Sequence, residues 1–198
     1  MKAIKSIYLA LILVLAVTIV SCDSGDDPKP EKTSNPTTGG DGMGGGDTSG
    51  GDTGGGTTAT AAPDFSLQNL TGETVSLSAL KGKVVVLFFF GNSCPACKAS
   101  APSVQSKLAN AYSSNDKVVV LGLDQWDGTK SAVQGFKNST GVDFDLLLNA
   151  SSAASSFSTT YDRLIVVDKE GFIRFKGSRA ASSDANDAKD TVETYLNN

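Results

Sequence analysis

"KGKVVVLFFFGNSCPACKAS", residues 81–100, decides how this chain is read. Val84–Phe90 is seven apolar residues in a row, β-branched and then aromatic. A strand that is apolar on both faces belongs in the middle of a sheet, as parallel strands of α/β folds do. Gly91, Asn92 and Ser93 break the run. Cys94 and Cys97 follow at the start of a helix that continues through "CPACKASAPSVQSKLANAYSSN". The pair therefore falls at the carboxyl end of a central strand, where open α/β sheets place their sites.

Outward from this stretch the pattern alternates. "APDFSLQNLTGETVSLSAL" reads as a short strand, a turn at Thr71-Gly72, a second strand over 73–77 and a helical turn begun by Ser78. Residues 116–124 form a second buried strand, 127–141 a helix with a weak end, and 144–150 a short strand followed by a helical turn through Phe157. "RLIVVDKEGFIRFKG" (163–177) reads as a hairpin. The last segment is a helix that Ser182 or Ser183 can cap. The expected fold is α/β, a central mixed sheet flanked by helices, with an N-terminal β-hairpin extension.

Composition narrows the chemistry. The 198 residues carry 17 Lys+Arg against 21 Asp+Glu, and the net charge of −4 argues against nucleic acid, which needs a basic face. There is no histidine, so Ser-His-Asp and Cys-His catalysis and His-ligated metals are excluded. Two cysteines one helical turn apart can form a short-loop disulfide. A helix start offers unpaired N–H groups and the positive end of the dipole, which favour a thiolate. Cys94 then reads as the exposed nucleophile and Cys97 as the inward resolving thiol, with Pro95 suited to an early helical position and Lys98 adding positive charge. The competing readings are a static disulfide, a Cu(I) carrier using two thiolates, and a zinc site shared between chains. No cofactor and no resident metal are expected. Trp126 follows a strand on the side that borders the cysteines. Asp124 and Asp127 read as a solvated loop, with a carboxylate pair as the alternative.

The first 61 residues are of another kind. Lys2 and Lys5 precede the apolar run "IYLALILVLAVTIV", which is short for a membrane span. The run ends in "IVSC", which resembles a bacterial lipoprotein signal. That resemblance implies cleavage of residues 1–21 and lipidation of Cys22, leaving Cys94 and Cys97 to react with each other or with a partner. Residues 22–61 hold the lipidated cysteine and a Gly-, Thr- and Asp-rich tether, too poor in apolar residues to fold. The domain is expected over 62–198, tethered in the cell envelope on the outer side of a bacterial membrane, where disulfides persist.

The stretch from Ala62-Pro63-Asp64-Phe65 through Leu77–Lys83, Cys94, Cys97, Lys98 and Pro102, with "VVDKEGFI" at 166–173, resembles the TlpA/ResA-like thiol-disulfide oxidoreductases of the thioredoxin superfamily, relatives of the AhpC/TSA proteins. The resemblance implies a thioredoxin-like fold and dithiol exchange with exported proteins, apocytochrome c among them, coupled to a membrane thiol-disulfide electron donor or acceptor. Four positions depart from that pattern. Asp162 stands where the family has a cis-proline, so Tyr161–Asp162 is expected to be trans. Ser93 replaces an aromatic residue. Ser100 replaces an acid, and Phe88 replaces a buried aspartate. Ala96 completes a Pro-Ala dipeptide typical of neither reducing nor oxidising members. Arg163 also matches a peroxiredoxin arginine, but Leu87 and Gly91 occupy the Pro and Thr slots of the peroxidatic motif. Arg163 is otherwise a charge at the start of a strand near the site, or a partner for Asp162.

Overall fold

A computed structural model describes residues 59–198. The signal-like segment, Cys22 and the tether up to residue 58 lie outside the described residues. Among the described residues no helix is long and apolar enough to cross a membrane.

The elements in chain order are β1 (Thr60–Ala61), β2 (Ser66–Gln68), β3 (Thr74–Ser76), β4 (Val84–Phe90), α1 (Pro95–Val104), β5 (Val118–Asp124), α2 (Lys130–Thr140), β6 (Asp145–Leu147), α3 (Ser151–Ser156), β7 (Arg163–Val167), β8 (Phe172–Lys176) and α4 (Ala181–Leu196). Six strands form one sheet in the order β1-β8-β7-β4-β5-β6. β4 runs parallel to β5 and antiparallel to β7, so the sheet is mixed, as expected. β2 and β3 form the N-terminal hairpin, which docks on the far edge through a bridge between Asn69 and Leu147.

β4 is the spine because every one of its residues is buried. Its side chains alternate between two cores, as the pleat requires. Val84, Val86, Phe88 and Phe90 face α1, α2 and α4, meeting Cys97, Ala101, Phe136, Ala185 and Val192. Val85, Leu87 and Phe89 face the hairpin and α3, meeting Phe65, Leu77, Ala153 and Phe157. Phe90 stacks on Phe136 at 4.3 Å between ring centroids. Phe88, in the slot of the buried aspartate, is fully buried among apolar neighbours.

The helix ends differ in part from expectation. Thr129 caps α2 by accepting from the Ala132 N–H at 3.2 Å, and Gly141 closes it in the left-handed region that glycine tolerates. The single helix expected after the cysteines is interrupted. α1 contains Pro102, which cannot donate to the preceding turn, and the chain continues as one π turn (Gln105–Ala109) and one 3-10 turn (Asn110–Tyr112). Neither Ser182 nor Ser183 caps α4. The cap residue is Ala180, which has no side-chain acceptor, and the acceptor arrives from another element: Asp162 Oδ1 takes the Ala181 N–H at 3.3 Å.

Candidate redox site

β4 ends at Phe90, directly across from Asp124 of β5, and Phe89 pairs with Arg163 of β7. The next turn, Gly91–Ser93, delivers Cys94 to the N-cap of α1. Cys94 has extended backbone angles, and Pro95 follows at the first helical position, where a missing N–H costs nothing. Cys94 Sγ accepts the Cys97 N–H at 3.2 Å, so the sulfur itself caps the helix. Gly91 organises both thiols: its carbonyl accepts the Cys94 N–H at 3.0 Å, and its N–H donates to Cys97 Sγ at 3.5 Å. Both cysteines are free thiols.

The expectation of an exposed Cys94 is corrected. The residue is 2 % exposed, and Cys97 is fully buried. The reason is the cap: a sulfur turned inward to take the Cys97 N–H is turned away from water. Ser93, Pro95, Ala96 and Lys98 around it are exposed. Burial pushes the Cys97 thiol up to about 12, helped by the hydrogen bond and charge of Cys94 and by the charge of Asp162, while the Gly91 N–H pulls the other way. At neutral pH Cys97 therefore keeps its proton.

Asp162 lies at the mouth of β7, 4 % exposed, with a φ of 55° in the left-handed region, and the Tyr161–Asp162 bond is trans. Arg163 is not an ion-pair partner for the Asp162 carboxylate: its Nη1 donates to the Asp162 carbonyl at 2.9 Å. Ser100, one turn beyond Cys97, is buried and meets Ser182 of α4, oxygen to oxygen, at 3.3 Å. These contacts seat the inner face of α1 against the start of α4.

Trp126 is 44 % exposed and Tyr161 42 %, and their rings meet edge to face at 5.3 Å. The indole of Trp126 lies on Gly91: a Cβ there would collide with ring atoms Cδ2, Cε2 and Cε3. Gly91 is thus required by close approach, and the threonine of the peroxidatic motif has no room in that slot. Asp124 is also corrected. It is fully buried and forms no solvated pair with Asp127. Asp127 is exposed and holds the Ser151 N–H at 3.0 Å. Asn92 and Tyr161 are site residues that sequence reasoning did not single out, and it gave Gly91 and Asp124 no part in holding the site, because these roles depend on the register of β5 and β7 against β4. Among the described residues no group of three or more Cys, Asp, Glu or His gathers as a metal-binding set.

The AhpC/TSA family model matches residues 58–176. The thioredoxin-like protein YneN of Bacillus subtilis is 32 % identical over 118 residues, which cover 57 % of this chain and 66 % of YneN. The thiol-disulfide oxidoreductase ResA of the same organism is 34 % identical over 88 residues, 44 % of this chain and 48 % of ResA. The chain spans less than two thirds of either. A Coxiella burnetii protein described as a candidate peroxiredoxin of the bcp type is 36 % identical over 121 residues, 59 % of this chain and 72 % of that one. A Bacteroides thetaiotaomicron structure, described as a candidate protein disulfide isomerase, superposes with a TM-score of 0.64 at 25 % identity, over 71 % of this chain and 90 % of that one. With more than half of its residues matched by the family model and a thioredoxin-like sheet carrying the dithiol, the chain belongs to the AhpC/TSA family, a branch of the thioredoxin superfamily.

Proposed function

We propose that the domain is a thiol-disulfide oxidoreductase in which Cys94 is the nucleophile and Cys97 the resolving thiol. The observation that carries this reading is the free dithiol at the head of α1, with Cys94 Sγ as the helix cap and Cys97 Sγ buried behind it. Because Cys94 is 2 % exposed, attack begins with its sulfur releasing the Cys97 N–H and turning outward. The Cys94 thiolate attacks one sulfur of a substrate disulfide. A Cys94–substrate bond forms, the substrate bond breaks, and the departing sulfur takes up a proton. Cys94 then no longer carries negative charge or a free thiol, so two of the causes that hold Cys97 near 12 disappear. Cys97 gives up its proton, to water or to Asp162, and attacks Cys94 Sγ. The second substrate thiolate leaves and is protonated. The substrate has gained two electrons and two protons, and the pair has become a disulfide. The same steps in reverse oxidise a substrate dithiol.

The substrates we assign are exported proteins, apocytochrome c among them, with the domain held in the cell envelope through lipid on Cys22 and coupled to a membrane thiol-disulfide donor or acceptor. The signal-like run 7–20 and the cysteine that follows it support this placement. The likeness to ResA supports the protein-thiol chemistry. A thiol peroxidase is the second reading, favoured by the likeness to the bcp-type protein and weakened by the indole that fills the threonine slot at Gly91.

The test is trapping in cells with the full-length Cys97→Ser variant. Mixed disulfides through Cys94 to envelope proteins, absent from Cys94→Ser/Cys97→Ser, are expected. A variant that captures nothing, in a protein that reduces no disulfide, overturns the exchange reading. Peroxide consumption at a rate exceeding disulfide exchange replaces it with the second.

A further inference from the structure

Among the described residues the exchange mechanism leaves three buried carboxylates unused; Asp168 and Asp184 are paired with arginines, and Asp124 is not. Asp124 ends β5 with no exposed surface, and no cation is paired with it among the described residues. A buried carboxylate is tolerated only where donors surround it. Here the donors come from two loops. Its Oδ1 accepts the Asn92 N–H at 3.1 Å, Asn92 Nδ2 at 3.2 Å and the Trp126 N–H at 3.4 Å. Its Oδ2 accepts Asn92 Nδ2 at 3.0 Å and the Gly128 N–H at 2.8 Å. Asn92 lies in the turn that delivers Cys94, and Trp126 and Gly128 lie in the loop that follows β5.

The packing around the carboxylate is built for this. A Cβ at Gly128 would collide with Asn92 Nδ2 and stand 3.0 Å from Asp124 Oδ2. A Cβ at Gly91 would collide with the Trp126 indole. Two glycines thus clear the space in which the two loops close on each other, and Asp124 is the group that joins them.

We propose that Asp124 is a positioning residue for the dithiol, binding the Cys94 turn to the Trp126 loop so that the indole stays seated on Gly91. Gly91 holds Cys97 Sγ through its N–H and the Cys94 N–H through its carbonyl, so whatever keeps the indole in place also keeps the cap that buries Cys94. The inference rests on the proposed reading of Cys94 as the nucleophile. Its physical content, restricted access to that sulfur, is measurable without turnover.

Asp124→Asn is the decisive variant. The Asn92 and Gly128 donors meet one carboxylate oxygen, and the Asn92 and Trp126 donors the other. Whichever way the new amide turns, its NH2 faces N–H groups. Asp168→Asn is the control, another buried aspartate that accepts backbone N–H groups but sits in the β7–β8 turn at the opposite end of β7. Two readouts are taken on the reduced full-length protein below the melting temperature of each variant. One is the rate of iodoacetamide modification of Cys94, located by fragment mass spectrometry. The other is the emission of Trp126, the one tryptophan in the chain. Asp124→Asn is expected to speed alkylation by roughly tenfold or more, the opening that follows loss of a charge-assisted hydrogen bond, and to shift emission to the red. Asp168→Asn lowers the melting temperature and moves neither. If Asp124→Asn leaves both readouts unchanged, or Asp168→Asn moves them equally, Asp124 is structural and the proposal falls. If trapping fails while the alkylation contrast stands, the exchange reading falls and the positioning role survives.

Discussion

Alkaline pH should destabilise the reduced domain by an amount that the burial of Cys97 sets. In an unfolded chain this thiol ionises near its ordinary value of 9.0, and in the folded domain it holds its proton up to about 12. Between those values the native state binds more protons than the unfolded state. The stability linked to this proton is therefore fully present below about pH 9 and is lost as pH climbs through the interval. Each pH unit in the interval removes about 1.4 kcal/mol, so the loss is about 2 kcal/mol at about pH 10.5. With a urea dependence of about 2 kcal/mol per molar, the unfolding midpoint falls by roughly 1 M. Other groups titrate in this range, so the quantity to follow is the gap in midpoint between the reduced wild type and Cys97→Ala, measured from about pH 8 to about pH 10.5. The gap should move by that amount against the wild type. A constant gap, or thiolate absorbance at 240 nm showing both thiols ionised by about pH 9.5, would refute the assignment of Cys97 as a sealed, protonated thiol.

Cys94→Ser removes the charge and changes the hydrogen bond that help to raise Cys97, but not the burial that is the leading cause. Its 240 nm titration should place Cys97 below about 12 and still above 9.0. Gly91→Ala drives a methyl group into the Trp126 indole, which is half-exposed and can swing away; overpacking of this kind costs about 1–3 kcal/mol, read as a lower urea midpoint together with a red-shifted emission.

Among the described residues four aspartates are buried, and each serves as an acceptor for backbone N–H groups where the chain changes direction. Asp124 holds the loops at the cysteines, and Asp162 caps α4 from a distance. Asp168 accepts the Glu170 and Phe172 N–H groups and pairs with Arg174, while Asp184 accepts the Arg179 N–H and its guanidinium. Burial of a carboxylate is costly unless donors converge on it. That these four were kept inside shows how much of the loop geometry is fixed by side chains remote in sequence. It also explains the mistaken cap. Ser182 and Ser183 have the chemistry of an N-cap, but the helix begins one residue before them, at Ala181, where Asp162 already supplies the acceptor.

Residue pattern alone determined the order of strands and helices from β2 onward, the central place of Val84–Phe90 and the position of the cysteines at its carboxyl end; it left Thr60–Ala61 in the tether, where the structure has edge strand β1 paired with β8. These are local properties: an uninterrupted apolar run has to be buried on both sides, and two cysteines three residues apart at a helix start must share a turn. The dithiol that carries the proposed exchange was legible for the same reason. Only the tertiary structure decided that Cys94 turns inward, that Asp124 is interior and that Trp126 rests on Gly91. The last two depend on which residues of β5 stand opposite β4, a register settled by the packing of two cores at once, and the first on the contact of Cys94 Sγ with the Cys97 N–H and on the core that closes over it. Exposure of a sulfur is a property of everything folded around it, which no spacing of cysteines encodes.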